Sequence, residues 1–230
     1  MNSESTRKNT LGRSKKAIDF VFEFLAIILG VLVAFWLSSW GDVRKEKKLE
    51  EFYLNELVKN LNLDQKQLKA VIENQANRAK ILDGLLQVMP QTELKGKSQI
   101  DSTYTSARGN PTFFPATGAY KSMVSEGSLD LISNKELVTL LVELYEFYYV
   151  RSIYLGTVLD DEVERTIWET RKFYSLYDNE FNDLAAIKSH ELRVIIGHRH
   201  AYIRLYLGHA RETLEKVNSV KMALEKELNS

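Results

Sequence analysis

The sequence predicts an all-α protein: one N-terminal transmembrane helix followed by an up-down-up bundle of long helices with short accessory helices. Three observations predict it. An apolar stretch fills residues 18–40 almost without interruption. The only three prolines, Pro90, Pro111 and Pro115, cluster between long runs rich in Leu, Glu, Lys and Ala, which are good helix formers. Within those runs apolar residues recur at three- and four-residue steps, the spacing of a single helical face.

Composition bounds the function. At 230 residues the chain has room for one anchor and one folded domain with a core. Its 31 Lys and Arg balance 31 Asp and Glu, whereas a nucleic-acid binder carries a basic excess. Cysteine is absent, which removes thiol nucleophiles, disulfides and thiolate metal sites together.

Residues 1–17 read as a basic N-terminal tail, 18–40 as the transmembrane helix and 41–230 as the helical bundle domain. The 23 residues Ile18 to Trp40 make a helix of about 34 Å, enough for a hydrocarbon core of about 30 Å. Phe24 to Leu37 contains no charged, amide or hydroxyl side chain. Trp36 and Trp40 are expected to anchor one interface. A cleaved signal peptide requires small residues before the cut, but this stretch ends in bulky "FWLSSW". Five Lys and Arg precede the span and four follow it closely, which favours a cytoplasmic N-terminus and a periplasmic bundle at a bacterial inner membrane.

On a helical wheel Asp19, Glu23, Ala26, Gly30, Ala34 and Ser38 fall in one sector about 120° wide. Small residues along one line let two helices approach closely, so this is the expected association face. Three readings of Glu23 stand open. It lies at the headgroup boundary near Lys15 and Lys16, it is held protonated at a helix interface, or it lines an ion path.

Glu23, Gly30, Ala34 and Trp40, spaced by six, three and five residues and followed by "RKEKKLEEFYLNEL", resemble a signature of an uncharacterised family of bacterial single-span membrane proteins, a domain of unknown function. "GAYKSMVSEGSLDLISNKELVTLLVELYEFYY" is similar to that family's second signature, a helix, a glycine turn and a second helix. The resemblance implies the single span and supplies no activity.

Beyond the span, Val43 to Met89 reads as one amphipathic helix, with Leu54, Leu61, Leu68, Leu82 and Met89 at one heptad position that Gln75 interrupts. Pro90 ends it. Short helices are expected over about Ser98 to Arg108 and Thr117 to Glu126, the second stopped by Gly127, with Phe113 to Pro115 plugging one end of the bundle. Ser133 and Glu136 have capping-box spacing, so the next helix is expected to start there and run to about Tyr177. After a polar connection the last helix runs from near Ser189 to Leu228.

Tyr145, Tyr148, Tyr149 and Tyr154 crowd more than one face of the second long helix and form a candidate oligomer or ligand surface. All four histidines lie on the last helix, but His198 and His200 point about 160° apart, so no metal or cofactor is expected. "DDEVER", residues 160–165, reads as a solvated face with an Asp161–Arg165 pair. No phosphate-cradling glycine loop or nucleophile motif occurs. The expectation is a non-enzymatic, self-associating interaction, scaffold or signal-relay module whose partners are the bilayer and a second copy or another membrane protein. Alternatives are a small channel or transport accessory using Glu23, and a ligand-sensing domain.

Overall fold

A computed structural model describes the backbone of residues 4–229 and the side chains of residues 23–25 and 27–229. The chain divides into two compact units, Met1–Glu51 and Phe52–Ser230. Helix α1 (Glu4–Val88) supplies the first unit and the first long helix of the second. In the first unit the described side chains from Phe24 to Trp40 are exposed on every face, and the helix is long and apolar enough there to cross a membrane.

The second unit is almost wholly helical. After α1, Pro90 stands in a 3-10 turn, Met89–Gln91, and a further such turn, Leu94–Gly96, leads into α2 (Lys97–Ser106). An irregular strap, residues 107–117, connects to α3 (Gly118–Ser125). Gly127, in the left-handed region at φ 68°, ends that helix because an L side chain is strained there. A 3-10 turn, Ser128–Leu131, precedes the second long helix, built of α4 (Lys135–Val142), a π-helical segment (Glu143–Tyr149) and α5 (Val150–Thr170). Strands β1 (Tyr174–Ser175) and β2 (Glu180–Phe181) then form a small antiparallel hairpin with Tyr174 opposite Phe181. Helix α6 (Leu184–Lys188) and helix α7 (His190–Leu228), capped by Ser189, complete the chain.

The core lies between the three long helices. Leu57, Leu61, Leu68 and Leu82 of α1 meet Leu137, Leu141, Leu144 and Leu159 of the second helix and Ile196, Ile203, Val217 and Leu224 of α7. The π segment keeps Leu137, Leu141, Tyr145 and Tyr149 in one buried row. Three four-residue steps would drift about 120° off the row in a regular helix of 3.6 residues per turn, and the wider turn removes that drift.

The topology corrects the up-down-up expectation. Asn134 donates to Glu227 at 2.7 Å, Glu143 pairs with Lys216 and Ser152 lies 3.2 Å from His209, so the second helix and α7 are antiparallel. Asp64 accepts from Tyr149 at 2.6 Å, while Gln75 reaches Asp160 through Asn110, so α1 and the second helix run parallel. Parallel neighbours require a connection that returns along the bundle, and residues 89–134 make it. Asp101 accepts from the backbone N–H of Phe181 at 2.9 Å, beside the hairpin. Further along, Asn110 meets Gln75, Phe114 meets Gln67, Ala116 meets Asp64 and Glu126 meets Tyr53.

Other differences are local. The cap before α4 is Asn134, not Ser133, because its side-chain oxygen accepts from the N–H groups of both Glu136 and Leu137. The second long helix stops at Thr170 rather than Tyr177, where Tyr174 turns inward to pack edge-on against Tyr104 and Phe181. Arg165 pairs with the buried Glu162, not with Asp161, so this stretch is only partly a solvated face. Phe113 is buried against Tyr149 at mid-helix, not at a bundle end, and Phe114 is exposed.

Candidate functional site

A chain segment without regular structure leaves its backbone polar groups in need of partners, and burying them unpaired is costly. The strap meets this requirement with side chains from α1 and α7, and α5 adds a tie to one of its side chains. From α1, Gln75 donates to the carbonyl of Pro111 at 2.8 Å, Gln67 accepts from Phe114 N–H at 3.3 Å and Asp64 accepts from Ala116 N–H at 2.8 Å. From α7, the hydroxyl of Tyr206 accepts from Phe113 N–H at 2.7 Å. One terminal nitrogen of Arg199 donates to the carbonyls of Ala107, Arg108 and Gly109 at 2.8, 3.0 and 3.2 Å. From α5, Asp160 accepts from the side chain of Asn110 at 2.6 Å.

Asp64 is the centre of these ties. One carboxylate oxygen accepts from the strap and the other from Tyr149 on the π segment, so a single residue joins three elements. Burial raises its pKa above the ordinary carboxyl value, against the pull of the Tyr149 and Ala116 donors. Around it Tyr149 packs edge-on against Tyr145 at 5.0 Å between centroids, and Tyr145 stacks on Tyr120 of α3 at 4.2 Å. Burial pushes the hydroxyls of Tyr145 and Tyr149 strongly upward, and Tyr120 to about 12 with help from Glu146. Burial likewise lifts Tyr206 to about 12, opposed by the Phe113 N–H.

These positions correct the reading of the tyrosine band as one surface. Tyr145 and Tyr149 are interior, covered by α3 and the strap; Tyr148 is half-buried and stacks on His209; Tyr154 alone is largely exposed. The polar strap ligands were missed by sequence reading, although a signal exists. Asp64 lies between Leu61 and Leu68, Gln75 between Leu68 and Leu82, and Arg199 between Ile196 and Ile203, each a polar residue inside an apolar stripe.

A second polar cluster has the residue types of a hydrolytic triad. His209 Nε2 lies 3.2 Å from Ser152 Oγ, and its Nδ1 lies 3.7 Å from Glu212. Yet Ser152 and His209 are both buried, and the serine hydroxyl donates to the carbonyl of Tyr148 at 2.8 Å. Its proton is therefore committed to the backbone, and Thr213 fills the remaining space at 3.1 Å from the serine. This is an interhelical hydrogen-bond cluster. Of the other histidines, His190 and His198 are exposed and His200 is half-buried, and no metal-holding group of three or more His, Cys, Asp or Glu occurs among the described residues.

On the apolar part of α1, Glu23, Gly30, Ala34 and Ser38 are exposed, as are Trp36 and Trp40. A Cβ built at Gly30 meets nothing within 4 Å. The side chains of Asp19 and Ala26 lie outside the described residues. A groove near the C-terminal end of α1, lined by Val88, Thr92, Gly96 and Ile100, is mostly apolar and includes none of these residues.

A family model described as a family of unknown function, DUF6090, matches residues 23–199, which is more than half of the chain. No curated protein and no solved structure matches it.

Proposed function

The chain belongs to the DUF6090 family, and since that family carries no assigned activity we propose that it is a membrane-anchored helical bundle that self-associates and acts as an interaction or signal-relay module, not as a catalyst. The observation that carries this reading is the double character of α1. The described side chains of residues 24–40 are exposed and mostly apolar on every face, while Asp64, Gln67 and Gln75 of the same helix hold the strap. An all-round apolar surface of this length is stable in lipid and unstable in water. A second copy then meets the first along Gly30, Ala34 and Ser38, where small side chains admit close backbone contact. A shift of α1 is felt by the strap, and a shift of the strap by α1. In this reading the N-terminus is cytoplasmic, one helix spans a bacterial inner membrane and the bundle is periplasmic.

The chain has no cysteine, so single-cysteine variants report without background. Gly30→Cys in native membranes is expected to form a disulfide-linked dimer on mild oxidation while Leu29→Cys does not. Silence at both positions, or equal crosslinking at both, overturns the association face.

A further inference from the structure

Three arginines from three parts of the fold converge beside the strap, and none has a carboxylate partner among the described residues. Arg199 is 1% exposed, yet the acceptors it reaches are neutral carbonyls, all on one terminal nitrogen, and its Nε has no partner. Arg78 of α1 is half-buried, and its Nε too is buried without a partner. Both guanidinium groups reach the same residue. Arg199 donates to the carbonyl of Gly109 at 3.2 Å, and a Cβ placed on Gly109 would lie 2.8 and 3.0 Å from the two terminal nitrogens of Arg78. Arg108 stands at the rim, donating to Asn179 at 3.0 Å with its guanidinium over the Tyr174 ring. Burial lowers the proton affinity of Arg78, and that of Arg199 by burial and by the charges of Arg78 and Arg108.

Buried guanidinium groups are ordinarily matched by carboxylates, since an uncompensated charge inside a protein is costly. Two acids of α5 are already engaged: Glu162, whose charge partly offsets the burial of Arg199, pairs with Arg165, and Asp160 accepts from Asn110. Gly109 itself is exposed and Arg78 is half-buried beside it, so the cluster reaches solvent at Arg78 and Gly109 while Arg199 lies buried behind them. We propose that Arg78 and Arg199, with Arg108 at the rim, form a binding site for a small dissolved oxyanion of the phosphate class at Gly109. Guanidinium groups arriving from different helices suit a tetrahedral anion with several oxygens better than a single carboxylate, which one arginine can satisfy. The inference goes beyond the membrane reading and does not depend on it, because every residue it uses lies in Phe52–Ser230. Bound at this place, an anion ties α1 to α7 through the strap.

The test uses the full chain in a nonionic detergent, with inorganic phosphate against chloride at matched ionic strength. Phosphate is expected to raise the melting temperature in a saturable way and chloride to leave it unchanged. Arg78→Gln is expected to weaken phosphate binding, read by titration calorimetry, roughly tenfold or more. Gly109→Ala, whose methyl displaces Arg78, is expected to weaken it in the same direction and serves as the readout where the arginine variant does not fold. Equal responses to phosphate and chloride, or wild-type phosphate binding by the folded variant, overturn the proposal.

Discussion

Asp64 carries more of this fold's specificity than its single negative charge implies. It occupies a place in the leucine stripe of α1, and both of its oxygens are satisfied, by Ala116 N–H and by the Tyr149 hydroxyl. Desolvation raises its pKa from the ordinary 3.8. In the window from that value up to the folded one, the folded chain retains a proton that the unfolded chain has released. Stability therefore falls as pH rises through the window, and the cost of the buried charge is complete above it. Asparagine has the same shape, accepts from Ala116 through its oxygen, donates to Tyr149 through its nitrogen and does not titrate. Urea unfolding between about pH 4 and pH 8 is expected to show wild type losing stability relative to Asp64→Asn as pH rises. Parallel profiles for the two proteins overturn this account. The residue was legible in sequence only as a breach of pattern, in the way Gln75 was, because its partner is a strap that approaches from far along the chain. Arg199 was hidden for the same reason.

At the scale of elements, legibility followed local chemistry. Pro90, Gly127 and Ser189 mark helix ends through backbone geometry or a neighbouring hydrogen bond, and those ends stand where the residues place them. The π segment has no comparable marker, since its sequence "ELYEFYY" reads as helix by periodicity. Its only trace is the run of four-residue steps through Leu137, Leu141, Tyr145 and Tyr149, which packing against α1 and α3 makes decisive. The segment behaves as one residue inserted into a regular helix, so its removal leaves α4 and α5 on their own faces. Deleting the exposed Phe147 is therefore expected to preserve cooperative folding at a cost of about 1 kcal/mol, the worth of the Tyr120–Tyr145 stack. Deleting Asp161 from α5 rotates one side of that helix by about 100° and is expected to abolish cooperative melting. Both are read by helical circular dichroism on heating, and equal losses from the two deletions refute the inserted-residue account.

At the scale of the whole molecule, the helical class and the three long helices were legible, but their directions were not. Helices joined by short loops are antiparallel neighbours, and residues 89–134 look on sequence like a loop with two short helices at one corner. What sets them along the bundle instead is a series of polar ties, Asp101, Gln75, Gln67, Asp64 and Tyr53, each formed with a residue distant in sequence. The same ties define which part of the chain is self-sufficient. Every buried hydrophobic side chain among the described residues lies between Tyr53 and Leu224, while the exposed apolar run from Phe24 to Leu37 lies outside that interval. A fragment of residues 52–230 therefore keeps the strap, its ligands and the core, and sheds the surface that water penalises most. It is expected to remain soluble without detergent and to unfold in one cooperative transition in urea, with a denaturant dependence suited to a domain of its size. A fragment that is helical but melts without a cooperative transition would mean that residues 1–51 hold the bundle together, and both the division of the chain and the anchor-plus-bundle reading would fall with it.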